Sequence, residues 1–336
     1  MPQSFLGVIA YLVCLNLEDR LPRFNRHLTL FILCGLVLYP WTVADGADIH
    51  ENVGTRAMTF LKIGVGAKAI SMGESQVADA DDLYATYWNP AGLAQLQRPQ
   101  LGLMHNEWFE GINHQFIGFA QPLGNAGTLG GSLIYLSYGE LEGYDINESG
   151  EPVKTENFHP YDLALIGSYA RRFGGALSLG ANAKWVREKI DTESAQVIAF
   201  DIGGLYAILN NSFSFGFNVQ HLGAKVKFVE ESFSLPLNIK VGMAYRLLDE
   251  ALTLTADVNR PSDNDPTVGV GAAFTAYELI HLRAGYKYKV GGNDLGTASG
   301  ITSGIGFSIE GFQLDYAFVS FGKLGGAHRF SLISNF

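Results

Sequence analysis

From about residue 99 to the last residue, apolar and polar side chains alternate with a period of two, in short segments separated by Gly, Asn, Asp and Pro. That period is the signature of a β-strand whose two faces meet different surroundings. Phe213, Phe215, Phe217 and Val219 interleave with Ser212, Ser214, Gly216, Asn218 and Gln220. Leu177, Leu179, Ala181, Ala183 and Trp185 oppose Ser178, Asn182 and Lys184, and Leu235 to Tyr245 oppose Asn238, Lys240 and Arg246. The pattern predicts strands at 99–108, 113–122, 127–138, 159–171, 175–188, 193–208, 212–222, 234–247, 250–259, 267–275, 278–288, 301–309, 311–319 and 326–336. These are about 14 strands, an even number, as single-chain transmembrane barrels require.

Connection lengths give an independent reading. Pro122 to Gly127, Phe173-Gly174, Leu209 to Asn211, Leu248-Asp249, Tyr277 and Gly311 are short, and they alternate with long connections at Gly139 to Asn157, Gly223 to Glu231, Arg260 to Pro266 and Val290 to Gly300. Outer-membrane barrels alternate short periplasmic turns with long extracellular loops in this way, although the loop after residue 108 is shorter than expected of an outer loop. A soluble sandwich predicts the same side-chain alternation but not aromatic residues at strand ends. Trp108, Phe109, Tyr135, Tyr138, Tyr161, Tyr169, Trp185, Tyr245, Tyr286 and Tyr288 stand near the predicted boundaries, as interfacial girdles would. The chain closes on Phe330-Ser331-Leu332-Ile333-Ser334-Asn335-Phe336, in which Phe330, Leu332 and Phe336 share a face and Ser334 is its weak member. A terminal strand of this kind marks a barrel destined for the bacterial outer membrane, with Phe336 read by the barrel assembly machinery.

Composition agrees with a barrel rather than a helical membrane protein. The 336 residues include 40 Gly, 22 Phe and 15 Tyr, with 17% charged, and the mean hydropathy is only +0.11, because alternation hides the apolar face from an average. Arg20, Arg23 and Arg26 precede the apolar stretch Leu28 to Tyr39 and the small-residue site Thr42-Val43-Ala44, which reads as a secretory signal cut after Ala44. Residues 1–19 hold a second apolar run, Phe5 to Leu17, so either the leader is unusually long or, the preferred reading, the true start lies near Arg20. Leu33 before Cys34 replaces the small residue of a lipoprotein box. Both cysteines, Cys14 and Cys34, fall in this leader, leaving a mature chain without thiols, as suits an oxidising periplasm. Loss of three Arg, one Glu and one Asp takes the net charge from −10 to −11, so nucleic acid is not an expected partner.

Residues 45–97 do not alternate. They are rich in Gly and Ala with short helical patches, and Asp81-Asp82 stands where it would cap a helix through Leu83 to Trp88 that Pro90 ends. A barrel of this size has a lumen wider than its wall side chains fill. The expectation is three parts: a leader at 1–44, an N-terminal hatch at 45–97 inside the lumen, and an all-β transmembrane antiparallel barrel at 98–336.

In this segment the chain resembles the PorV/PorQ family of outer-membrane barrels, through Arg56-Ala57-Met58-Thr59-Phe60-Leu61-Lys62-Ile63-Gly64-Val65-Gly66-Ala67-Lys68-Ala69-Ile70-Ser71-Met72-Gly73, then Asp81-Asp82, then Tyr87-Trp88-Asn89-Pro90-Ala91-Gly92-Leu93. Asp201-Ile202-Gly203, Gln220-His221-Leu222-Gly223, Leu235-Pro236-Leu237, Leu282 to Tyr286 and Leu314 to Ala317 resemble its recurring strand motifs. The resemblance implies a 14-stranded barrel with a hatch, related in fold to the FadL-like transporters of hydrophobic compounds, whose hatch also carries Asn-Pro-Ala. It further implies that some relatives serve type IX secretion, where they bind the translocon and receive exported cargo by its C-terminal domain.

No catalytic constellation emerges. Gly64-Val65-Gly66-Ala67-Lys68-Ala69 imitates a dinucleotide fingerprint without a βαβ unit, the eight histidines are scattered, and no Gly-x-Ser-x-Gly elbow occurs. Neither an enzyme nor a cofactor is expected. Asp145, Asn147, Ser149 and Glu156 carry part of a calcium-loop spacing, against which a hairpin turn accounts for the same residues. The hatch and gating residues of interest are Arg56, Asp81, Asp82, Trp88, Asn89 and Pro90, with Arg283 and Asp315 as polar lumen residues. Their bland role is to fix the hatch to the wall; their sharper role is gating. The functional expectation is a non-enzymatic barrel that assists protein secretion or surface attachment, with outer-membrane lipid, a secretion translocon and exported cargo as partners. The alternative is a transporter taking a hydrophobic ligand such as a fatty acid.

Overall fold

The computed structural model describes residues 50–208, 212–292, 296 and 298–336. The leader at 1–44, with its start and cleavage sites, lies outside the described residues, as do the short connection at 209–211 and part of the loop at 290–300. The strands in chain order are β1 (Gln100–Glu107), β2 (Asn113–Pro122), β3 (Thr128–Ser137), β4 (Tyr144–Ile146), β5 (Pro152–Lys154), β6 (Tyr161–Phe173), β7 (Leu177–Ile190), β8 (Glu193–Ile208) and β9 (Phe213–Gly223). They continue as β10 (Val226–Phe228), β11 (Glu231–Phe233), β12 (Asn238–Leu247), β13 (Leu252–Pro261), β14 (Thr267–Ala276), β15 (Ile280–Lys289), β16 (Ile301–Ile309), β17 (Phe312–Ser320) and β18 (Gly326–Asn335).

Among the described residues, fourteen strands close an antiparallel barrel in the order β1-β18-β17-β16-β15-β14-β13-β12-β9-β8-β7-β6-β3-β2. The seam is made by the last strand, with Gln100 opposite Asn335 and Glu107 opposite His328. The Phe336 amide adds a bond to the Pro99 carbonyl at 3.1 Å. All fourteen expected wall strands are present. Closure leaves no free strand edge in the wall, so the side-chain register is fixed all round.

The period-two pattern sorts as expected. Phe215 and Phe217 face outward while Ser214, Asn218 and Gln220 are buried inside, and Leu179 faces outward while Ser178, Asn182 and Lys184 are buried. Two differences have local causes. The strand expected from residue 234 begins at Asn238, because Pro236 has no amide to donate to a ladder; Leu235 turns inward and is buried. The long connections 139–160 and 224–237 contain two-stranded ribbons, β4-β5 and β10-β11, each a sheet of its own.

The apolar core lies inside the barrel. Residues 58–97 form a 3-10 turn (Thr59–Lys62), the short helices α1 (Ala67–Ser71) and α2 (Ala85–Trp88) and a second 3-10 turn (Pro90–Gln95). Their Leu61, Ile70, Leu83, Tyr84, Trp88 and Leu93 cluster with wall residues Phe116, Ile134, Leu136, Ile166 and Val186. Polar wall residues are then left facing a buried interface, where each needs a partner.

Candidate functional site in the lumen

The centre of the interface is Trp88-Asn89-Pro90. The helix expected from Leu83 under an Asp81-Asp82 cap instead starts at Ala85 with Tyr84 as its N-cap and no side-chain cap, while Asp82 folds the turn ahead of it, its Oδ1 accepting from the Tyr84 amide at 2.8 Å and its carbonyl from the Ala85 amide at 3.0 Å. The helix stops at Asn89, which is extended (φ −163°, ψ 104°), because a residue before proline is driven out of the helical region. Stopping so early leaves the carbonyls of residues 86–88 without helical partners. Three wall amides take them: Asn182 Nδ2 donates to Thr86 O at 2.8 Å, Gln220 Nε2 to Tyr87 O at 2.7 Å, and Asn218 Nδ2 to Trp88 O at 2.8 Å.

Asn89 is fully buried. Its Nδ2 donates to Val77 O at 2.7 Å and to Gly204 O at 3.0 Å, and its Oδ1 accepts from the Ala91 amide at 3.2 Å. One side chain therefore joins two stretches of the N-terminal segment to strand β8 and caps the turn that Pro90 opens. Wall glycines make the approach possible. A Cβ at Gly203 would stand 2.1 Å from Asn89 Oδ1, and one at Gly180 would stand 2.4 Å from the Ala91 nitrogen. Trp88 donates from Nε1 to Val65 O at 2.8 Å, and the Lys240 ammonium lies 4.4 Å from its ring centre, a cation–π contact.

Charges pair across the same interface. Lys68 bonds Asp81 and stands 3.7 Å from Asp79, which in turn holds Arg246 of β12. Burial works against the Lys68 ammonium, but the carboxylates of Asp81, Asp79 and Asp82 outweigh it and raise its pKa. Burial also pushes the Asp82 carboxyl up to about 7, with Lys68 pulling the other way. Arg283 and Asp315 meet at 2.6 Å, both buried, beside α1. Lys184 and Asp201 meet at 2.6 Å, equally buried, and Glu74 meets Lys287 at 2.6 Å.

The structure thus brings Asp81, Asp82, Trp88, Asn89 and Pro90 into one lumenal assembly and makes Arg283 and Asp315 partners. Arg56 stands apart. It bridges Ser234 at the long-loop end of the barrel, where the Met58 amide donates to Glu188 Oε2 at 3.1 Å and Lys62 meets Asp263 at 2.5 Å. From there the segment descends to Pro99 at the short-turn end, so it enters the lumen at one mouth and leaves by the other. Sequence reading did not single out Glu74, Asp79 or Lys287, and it met Lys68, Asp201 and Arg246 only within motifs or the strand pattern, with no site role. Their signal was a charge at an inward register position, or a charge inside the Gly-rich segment, and neither names a partner.

Asp145 and Asn147 lie on the β4-β5 ribbon and use their oxygens on its own backbone, Asp145 Oδ1 on the Ile146 amide and Asn147 Oδ1 on the amides of Ser149 and Glu151. Among the described residues no group of three or more His, Cys, Asp or Glu is gathered to hold a metal. At the long-loop mouth a cavity of about 420 Å³ is lined by Phe60, Lys62, Trp108, Tyr138, Phe321 and Arg329, among others.

A closed barrel with an apolar outer belt, an inner face that mixes polar residues with an apolar patch around Phe116 and Ile134, and its long connections gathered at one mouth defines an outer-membrane β-barrel protein. The mouth that carries the long loops, together with the short β1-β2, β7-β8 and β17-β18 turns, is then extracellular, and the opposite mouth is periplasmic. The chain belongs to the PorV family: the family model for the type IX secretion system protein PorV matches residues 47–262. A UPF0164 protein of Treponema pallidum (strain Nichols) is 25% identical over 295 residues, covering 82% of this chain and 67% of that protein. Among solved structures, a mutant of the TodX monoaromatic hydrocarbon channel superposes with a TM-score of 0.57 at 13% identity, covering 81% of this chain and 99% of that one. A Pseudomonas aeruginosa FadL homologue superposes with a TM-score of 0.53 at 12% identity, covering 81% and 98%. At these identities the likeness is one of fold. The chain is accordingly a bacterial outer-membrane barrel of FadL-like fold, with an outward face in contact with lipid.

Proposed function

We propose that this protein is a non-enzymatic accessory of protein export. Residues 58–97 act as a fixed hatch, and the extracellular rim engages exported protein. The observation that carries the reading is the way the lumen is occupied: the segment is bonded to wall strands on several sides through Asn89, Asn182, Asn218, Gln220 and buried ion pairs. Such an interface serves a platform better than an open pore. The membership in the PorV family supports the same reading. In it, Phe336 is the signal for barrel assembly, and the translocon and its cargo are the partners. The test is to delete the gene and compare surface and medium proteins by mass spectrometry. Selective loss of exported proteins is expected, and an unchanged exported set would sink the proposal.

The cavity above the hatch favours a second reading, in which an apolar compound enters between Phe60, Trp108 and Phe321 and gating by the hatch admits it. Uptake of a radiolabelled fatty acid that depends on this chain, with export unaffected, would decide for it.

A further inference from the structure

Gly180 and Gly203 of the inner wall are small because residues 89–91 press on them. Gly131 of β3 and Gly167 of β6 have no such reason. They stand opposite each other across the β3-β6 ladder, on the outward rows that carry Leu129, Leu165 and Tyr169, all exposed to lipid. A Cβ on Gly131 would meet nothing nearer than 3.9 Å, and one on Gly167 nothing nearer than 4.0 Å. Neither glycine has a positive φ. Inside a strand, glycine costs conformational entropy and packs no side chain, and it marks places where a ligand or another backbone comes close. Among the described residues nothing of this chain comes close to them from outside. Together with Ala183 of β7, which stands opposite Gly167, they floor an outward groove of about 640 Å³ walled by Phe119, Trp185 and Ile198. The groove crosses three strands, a width of roughly 10 Å.

The outward row of β7 continues from Ala183 through Trp185 to Arg187 and Lys189 at the extracellular end. A small apolar floor, an aromatic residue and two cations thus follow one another in the order of hydrocarbon, interface and headgroup. Arg187 stands about 13 Å beyond Ala183 along the strand. Across the ladders Arg187 and Lys189 face Leu163 and Tyr161 on β6 and Gln196 and Ser194 on β8, all uncharged. The adjacent carboxylates point the other way, Asp162 accepting from the Tyr138 hydroxyl and Glu188 from the Met58 amide. Among the described residues neither cation has a hydrogen bond or an ion pair. This charge selects the occupant of the groove. A second copy of the chain docked by two-fold symmetry would set the same two cations against themselves. We propose that β3, β6 and β7 hold an anionic lipid of the outer leaflet. One acyl chain lies over Gly131, Gly167 and Ala183, and the phosphate of the headgroup bonds Arg187 and Lys189. The inference needs neither the export reading nor the uptake reading.

The test uses the full mature barrel in nonionic detergent, mixed with phosphatidylglycerol and phosphatidylcholine of identical acyl chains, and counts the lipids retained by native mass spectrometry. Phosphatidylglycerol is expected to be retained in preference to phosphatidylcholine. The Arg187→Gln, Lys189→Gln double variant should reduce that preference about thirtyfold. The Gly131→Leu, Gly167→Leu double variant fills the groove where there is open space and should weaken phosphatidylglycerol retention about tenfold with the cations intact. Free glycerol phosphate should not displace the lipid, because it has no chain for the groove. Equal retention of the two lipids by the parent, or of phosphatidylglycerol by the parent and either double variant, would overturn the proposal. Displacement by glycerol phosphate would overturn it as well, leaving a phosphate site that makes no use of the groove. Retention of the heat-dependent gel shift shows that each variant barrel is folded.

Discussion

Replacing Asn89 by Ala removes three bonds at once. The carbonyls of Val77 and Gly204 lose their donor, and the Ala91 amide loses its acceptor, at a position of 0% exposure. A buried group left without a partner costs about 1–3 kcal/mol. Partial repair by a water entering the vacated space brings the three together to about 3–5 kcal/mol. This cost falls on the hatch, since the wall ladders do not pass through Asn89. The assay is hydrogen exchange by mass spectrometry on the barrel in micelles, comparing peptides from 85–95 with peptides from the β6 and β7 strands. A loss of 3 kcal/mol is about a hundredfold loss of protection when opening is in rapid equilibrium. The expectation is that loss in 85–95, with little change in the strands. Asn89→Asp keeps the shape and the cap but sets a carboxylate against two carbonyl oxygens, so it should be worse than Ala. Protection within about threefold of the parent in a folded Asn89→Ala barrel would refute the view that this side chain pins the hatch.

Three further outcomes follow from the geometry. The Asp82 carboxyl sits at about 7 against an ordinary 3.8, so the fold favours its uncharged form. Its contribution is fully present below the ordinary value and lost as pH rises through about 7. Asp82→Asn should therefore protect the hatch relative to parent near about pH 8, with the difference vanishing toward about pH 4 in the same exchange assay; a constant difference would contradict it. Arg283→Leu leaves Asp315 buried without its cation and should lower the stability to urea by about 3–5 kcal/mol, while Arg283→Leu with Asp315→Leu should recover most of it. A double variant no better than the single one would show that the pair is not the reason. Finally, Val53 is exposed just before the residues that bridge to the extracellular Ser234. Val53→Cys should react with an impermeant maleimide on intact cells, whereas Leu248→Cys, in a periplasmic turn, should react only after the outer membrane is opened. Labelling in the reverse order would invert the path of the segment.

The barrel was legible because its cause is local. A strand between lipid and lumen must alternate, and Phe213 to Gln220 or Leu177 to Trp185 report that alternation without reference to any distant residue. The start of β12 was misread for an equally local reason, Pro236, whose missing amide outweighed the apolar pattern around it. Trp88-Asn89-Pro90 could be located as a motif, since proline ends a helix wherever the helix lies. Its partners could not be read. That Thr86, Tyr87 and Trp88 surrender their carbonyls to Asn182, Gln220 and Asn218 depends on residues about a hundred positions away.

The amino-acid sequence by itself determined the number of wall strands, the face that most wall residues present and the presence of a non-alternating segment before residue 98. Each follows from periodicity, turn chemistry or composition. Only the tertiary structure decided which inward charges meet, that the N-terminal segment runs from the extracellular mouth to the periplasmic one, and that the connection between β3 and β6 carries a two-stranded ribbon of its own. The physical reason is that a buried polar group specifies its need for a partner but not the partner. Closure of the barrel around the segment, with Gly180 and Gly203 small enough to admit its backbone, makes the assignment.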